Sequence, residues 1–199
     1  DLALTWHGAN FNLALLAGTL AVEVLQFDFR GVTAHAAFDP DNGRSAHDAV
    51  ELMNVGANYL REHIPQDCRL HYAVTRTGHE PNIVPEFARV EYWIRASSRK
   101  IVQTVRKRLE KIAKGAALMT ETNVEIETHG GCYELNNNEV IAQTYLDVMK
   151  TIGAPSYTKK EKEFAKKLVK TFPDNAAEAA LKACGLPESM KTDLFHNGV

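Results

Sequence analysis

The chain has 199 residues, 45% of them hydrophobic and 24% charged, with a net charge of −2, which fits one large globular domain or two small ones. That charge gives no electrostatic case for nucleic acid or an acidic membrane surface as a partner. No apolar run reaches the ~18 residues of a membrane span, and the apolar stretch 11–25, interrupted by Asn12 and Glu23, lacks the basic start and cleavage site of a signal peptide.

Residues 1–20 open with a short apolar segment ending in Thr5-Trp6-His7-Gly8. From 24 to 30, Leu25, Phe27 and Phe29 alternate with Gln26, Asp28 and Arg30, the pattern of a half-buried strand. Gly31 leads into Ala34-His35-Ala36-Ala37, and Asp39-Pro40-Asp41-Asn42-Gly43 has the composition of a turn. Ser45, with Asp48 three residues on, is expected to cap a helix in which Asp takes the place of the usual Glu. Ala46, Ala49, Val50, Met53, Gly56, Ala57 and Leu60 give that helix one apolar stripe, and Pro65 closes the segment. Leu70, Tyr72 and Val74 predict a second strand. Beyond the loop at 78–85, Val90, Tyr92 and Ile94 alternate with Arg89, Glu91, Trp93 and Arg95 and predict a third. Val102, Val105, Leu109, Ile112 and Ala116 predict a helix over about 100–118, and Val124 with Ile126 marks a fourth strand.

The order over 24–128 is therefore β-α-β-β-α-β. Its simplest fold is the α+β ferredoxin-like unit, a four-stranded antiparallel sheet with both helices on one face. From 130 onward the character changes. A helix carrying Val140, Ile141, Tyr145, Val148 and Met149 is expected to end near Gly153, a lysine-rich one to cover 158–171 with Thr158 and Glu161 as a capping box, and a short one 174–184. This tail has no strand pattern and reads as part of a second body. Beginning at Asp1 and stopping at Val199, the chain is expected to be a piece of a longer polypeptide. Cys68, Cys132 and Cys184 are odd in number and far apart, which predicts free thiols in a reducing cytoplasm rather than a disulfide framework or a metal cluster.

Four residues are candidates for chemistry. His35 has only small neighbours, an arrangement that presents an imidazole to a ligand; the alternative is a loop histidine bonded to backbone. Asn82 lies between Pro81 and Pro85 in a stiff loop, or is a simple turn residue. Arg95 follows Asn82 by thirteen positions near a strand end, and is otherwise a surface charge or the ion-pair partner of Glu91 or Asp28. A histidine, an amide and a guanidinium together can grip an anionic or carbonyl oxygen. His7 can be a metal ligand, but no second ligand stands at a metal-type spacing and no HExxH, HxD or CxxC occurs. The lysines of 159–170 read as a solvated helix face.

Taken together, Thr5-Trp6-His7, the Gly31 to Ala37 turn, Gly43-Arg44-Ser45-Ala46 with the helix after it, and Pro81-Asn82-Ile83-Val84-Pro85 through Ile94-Arg95-Ala96 resemble the two-metal aminoacylase and carboxypeptidase family. The resemblance implies a catalytic domain split by an inserted ferredoxin-like lid that also forms a homodimer. Residues 1–23 would end the first catalytic half, 24–129 would be the lid, and 130–199 would start the second half. It implies an amidohydrolase of N-acyl amino acids, p-aminobenzoyl-glutamate among the candidates, that uses two divalent metal ions (zinc or manganese). His7 would be a metal ligand, His35 would stabilise the oxyanion in the partner's site, and Asn82 and Arg95 would bind the substrate carboxylate. The remaining ligands and the glutamate base of the family have no counterpart in this chain, which alone is expected to be inactive. From the residues alone, a non-catalytic dimerisation or small-ligand regulatory module of the same fold is the alternative.

Overall fold

A computed structural model describes residues 4–6, 12–14, 16 and 18–183. The chain divides into two compact units, Gly18–Asn136 and the segments on either side of it.

The central unit runs β1 (Ala21–Arg30), α1 (Ala46–Leu60), β2 (Arg69–Arg76), β3 (Phe87–Ala96), α2 (Arg99–Met119) and β4 (Asn123–Cys132). Its strands form one four-stranded sheet in the order β2-β3-β1-β4, antiparallel at every pairing. This is the α+β ferredoxin-like architecture that the alternation of elements predicts. Leu25, Phe27 and Phe29 of β1 and Ala88, Val90, Tyr92 and Ile94 of β3 bury one face of the sheet under Ala49, Val50 and Met53 of α1 and Val102, Val105 and Leu109 of α2. Gly56 lets the helices close, since a Cβ there would stand 2.6 Å from Ile112 Cγ2. One polar pair crosses the core: Tyr92 donates its hydroxyl hydrogen bond to Asn54 Oδ1 at 2.5 Å, and burial pushes the phenol above its ordinary pKa.

Both strands at the expected lid boundaries run past them. Strand β1 starts at Ala21 because Glu23, whose charge breaks the apolar pattern, is fully buried against Arg106 Nη1 at 2.5 Å and Arg99 Nη2 at 3.1 Å. Strand β4 continues through Gly130 and Gly131 to Cys132. A Cβ on Gly131 would meet the Val22 carbonyl at 2.6 Å, so the glycine permits the close approach. Cys68 is a buried free thiol and Cys132 an exposed one; burial raises the Cys68 pKa, as for an inert core thiol.

In the second unit, α3 (Glu139–Ile152) is capped by Asn138, whose Oδ1 accepts from the Ile141 N–H at 3.1 Å. It ends at Gly153, which takes the left-handed φ of 78°. The next helix, α4 (Lys159–Val169), has the expected capping box of Thr158 and Glu161. Those hydrogen bonds from Thr158 hold the Glu161 carboxyl below its ordinary pKa. The last helix, α5, covers Ala176–Ala183; Cys184 lies outside the described residues. Among the described residues no helix is long and apolar enough to cross a membrane.

Candidate functional site: a tongue at one end of the sheet

Past Arg30 and before Phe87, the β1–β3 pairing does not stop. The Gly31 N–H donates to the Glu86 carbonyl at 2.8 Å, Val84 N–H to Ala34 O at 2.9 Å, and Ala36 N–H to Asn82 O at 2.9 Å. His35 and Ile83 form an isolated bridge in the same series, and Val32 pairs with Arg44 on the other side. The result is a tongue of two extended segments projecting from the end of the sheet. Its packing depends on glycine at two places. A Cβ on Gly31 would lie 1.9 Å from the Arg44 carbonyl oxygen, and one on Gly43 would lie 2.9 Å from Val84 Cγ2. Arg44 is in turn tied to Glu121 by a 2.8 Å salt bridge, so the turn after α2 anchors the base of the tongue.

His35 and Asn82 lie on the two paired segments of the tongue at neighbouring rungs, His35 opposite Ile83 and Asn82 opposite Ala36, where successive side chains alternate in face. The imidazole is exposed, and its Nδ1 accepts from the backbone N–H groups of Ala37 at 3.2 Å and Phe38 at 3.3 Å. An Nδ1 that accepts carries no proton, so in the neutral ring the proton sits on Nε2. Nε2–H is then the free donor. The turn that arranges this is closed by a hydrogen bond from Asp39 N–H to His35 O at 2.9 Å. The Phe38 ring lies 4.6 Å from the imidazole, centroid to centroid. Sequence reasoning does not single out Phe38; its only signal there is a large apolar side chain in a stretch otherwise built of small and turn-forming residues.

At the base of the tongue, three guanidinium groups surround Phe87: Arg76 at 4.8 Å, Arg30 at 5.3 Å and Arg89 at 5.5 Å from the ring centroid. Asp28 holds Arg89 through bonds of 2.6 and 2.5 Å, which raise the arginine pKa further. Arg30 approaches Glu125 at 3.6 Å. Two of the three guanidiniums are thus paired with carboxylates, and the uncovered sheet face near the tongue carries charges of both signs.

Arg95 is not part of this cluster. It lies at the other end of β3, opposite Val22 of β1 and Arg69 of β2. Eight residue steps along the strand separate it from Phe87, about 26 Å at ~3.3 Å per residue. The ion pair the sequence allowed with Glu91 or Asp28 does not form, because Asp28 is taken by Arg89 and Glu91 accepts from Trp93 Nε1 at 2.8 Å. Arg95 instead stacks on Trp93, 5.2 Å from the ring centroid. The Arg69 guanidinium beside it turns to the carbonyls of Gln66 and Cys68. One chain thus carries His35 and Asn82 on segments at one end of the sheet and Arg95 at the other.

His7 lies outside the described residues, and among those described no group of three or more His, Cys, Asp or Glu could hold a metal ion. The described residues therefore do not by themselves form a metal centre.

The fold and the tongue define a class: a ferredoxin-like module with an uncovered sheet face, presenting an imidazole and an amide beyond one end. Residues 19–121 match the family model for a peptidase dimerisation domain, and the chain belongs to that family. It is 41% identical over 182 residues to one of the subunits of p-aminobenzoyl-glutamate hydrolase from Escherichia coli (strain K12), covering 91% of this chain and 38% of the relative. It is 29% identical to the Xaa-Arg dipeptidase of Mus musculus, over 77% of this chain and 36% of that one. Among solved structures, an aminobenzoyl-glutamate utilization protein from Klebsiella pneumoniae superposes with a TM-score of 0.54 at 26% identity, over 63% of this chain and 32% of that one. The chain thus spans little more than a third of the curated relatives it matches.

Proposed function

We propose that this chain is the lid, with flanking segments, of a metal-dependent amidohydrolase that cleaves the amide bond of N-acyl amino acids, p-aminobenzoyl-glutamate among them. The observation that carries the reading is the separation of the site residues to opposite ends of one sheet. The chain enters β1 and leaves β4 at the Arg95 end, and the tongue lies at the other. A guanidinium near the connections serves a reaction centre built by its own polypeptide. A tongue about a strand length away serves the centre of a second copy. A homodimer supplies both groups to each centre.

In this assembly His35 Nε2–H donates to the substrate carbonyl oxygen as it gains negative charge. Loss of one such donor costs about a hundredfold to a thousandfold in kcat. Asn82 and Arg95 hold the carboxylate of the amino acid, Arg95 through its two-pronged guanidinium. The metal ions, zinc or manganese, belong to the longer protein, with His7 as the ligand this chain would contribute. The expected reading of 24–129 as lid and of the flanks as parts of two catalytic halves belongs to the same proposal. So does a cytoplasmic location, which the free thiols Cys68 and Cys132 support.

The dimer edge we propose is β2. Its middle residues, Tyr72, Ala73, Val74 and Thr75, are uncharged and exposed, whereas the opposite edge strand β4 carries Glu125 and Glu127. Charges on an edge discourage pairing, and their absence permits it. The test is His35→Ala in the full-length protein. Loss of kcat with retained metal and fold supports the reading; near-normal kcat removes His35 from the mechanism. The exposed β2 edge also suits the second reading, a non-catalytic dimerisation or small-ligand module, which requires no effect of that substitution on any turnover.

A further inference from the structure

Phe38 is 87% exposed, on a turn whose hydrogen bonds otherwise serve to fix His35. A single exposed apolar side chain is ordinary on a protein surface, but this one is fixed against the candidate imidazole. Its ring is locked to the imidazole by the same turn: centroids 4.6 Å apart, planes at 50°, with the Phe38 N–H itself donating to Nδ1. Wherever Nε2–H meets a carbonyl oxygen, the ring travels with it.

That coupling limits what the ring can touch. A hydrogen-bonded carbonyl oxygen stands about 3 Å from Nε2, so the groups bonded to the carbonyl carbon fall within reach of a ring placed beside the imidazole. One of those groups is the nitrogen of the amino acid, whose carboxylate Asn82 engages on the other segment of the tongue. The other is the acyl substituent. We propose that Phe38 forms one wall of the acyl pocket, in the partner's reaction centre, and selects flat aromatic acyl groups by stacking. The inference rests on the reading of His35 given above and extends it to the substrate class. Aromatic pairs with centroids about 4.5–7 Å apart add to the gain from burying the ring itself, so the ring should be worth about tenfold in kcat/KM on an aryl substrate.

The experiment uses the full-length protein and two substrates that share one amino acid, a benzoyl and an acetyl derivative. Phe38→Ala is expected to lower kcat/KM for the benzoyl substrate by about tenfold, mostly through KM, with the acetyl substrate changed by less than about twofold; Phe38→Leu should fall between. Equal losses on both substrates would mean that the ring only positions His35, and would overturn the acyl role alone. Unchanged kinetics would overturn it too, as would dissociation of the dimer, which would assign Phe38 to the subunit contact. A wild-type protein inactive on both substrates would overturn this inference together with the hydrolase reading beneath it.

Discussion

The tongue exists because Gly31 allows its backbone to pass against Arg44, and that dependence can be measured. In Gly31→Ala the new Cβ would lie 1.9 Å from the Arg44 carbonyl oxygen and 2.9 Å from its carbon. Neither is a side-chain tip that can rotate away, and Arg44 is held by its pairing with Val32 and by Glu121. Relief therefore requires the segment to move. Overpacking against fixed neighbours costs about 1–3 kcal/mol, and a backbone clash belongs at the upper end. For a unit of this size that lowers Tm by about 15 °C. Gly43→Ala meets Val84 methyls at 2.9 and 3.1 Å, which can yield, so its cost is about 1 kcal/mol. Gly115 is inside α2 with nothing within 4 Å of its Cβ position; alanine there gains about 1 kcal/mol of helix propensity. Thermal unfolding of the three variants, followed by circular dichroism, should rank Gly115→Ala above wild type, then Gly43→Ala, then Gly31→Ala. A Gly31→Ala protein as stable as wild type would refute the account of how the tongue is packed.

Three further outcomes are expected. Tyr92→Phe leaves Asn54 Oδ1 buried without its donor and should lose about 1–3 kcal/mol in urea unfolding, whereas Tyr92→Phe with Asn54→Leu should recover much of it; simple additivity would contradict a coupled pair. Because burial raises the Tyr92 pKa above its ordinary value of 10.0, the folded state keeps a proton that the unfolded state has lost. Stability is then full below pH about 10 and falls as the pH rises toward the folded value, a slope that Tyr92→Phe should flatten in alkaline denaturation. Ala73→Lys with Val74→Lys should turn the protein monomeric in analytical ultracentrifugation without altering its circular dichroism; a dimer that persists would place the interface elsewhere than β2.

Much of the central unit is legible in the sequence because its signals are local. Ser45 Oγ accepts from the Asp48 N–H at 3.1 Å as the cap predicts, and the alternation in β3 matches burial residue by residue, with Tyr92 inside and Trp93 out. The start of β1 is not legible. Glu23 becomes a core residue only through Arg99 and Arg106, 76 and 83 positions away, and no window on the sequence joins them. Gly131 of β4 misleads for the same reason, since what it accommodates is the backbone of β1. For the candidate site, the placement of His35 and Asn82 on paired segments follows from continuing a ladder already predicted. The distance to Arg95 follows from the same ladder, because thirteen residues that are mostly strand carry a side chain to the far end. Phe38 is invisible at that level because a lone aromatic in a loop has no pattern; only its exposure and its contact with the imidazole single it out.

The central claim, that each reaction centre takes its guanidinium from one copy and its imidazole from the other, is tested most directly by mixing. His35→Ala and Arg95→Ala versions of the full-length protein, each inactive alone, are unfolded together and refolded. Heterodimers are about half of a random mixture and hold one complete centre each, so about a quarter of wild-type activity should return. A mixture as inactive as its components would contradict the exchange of groups between copies.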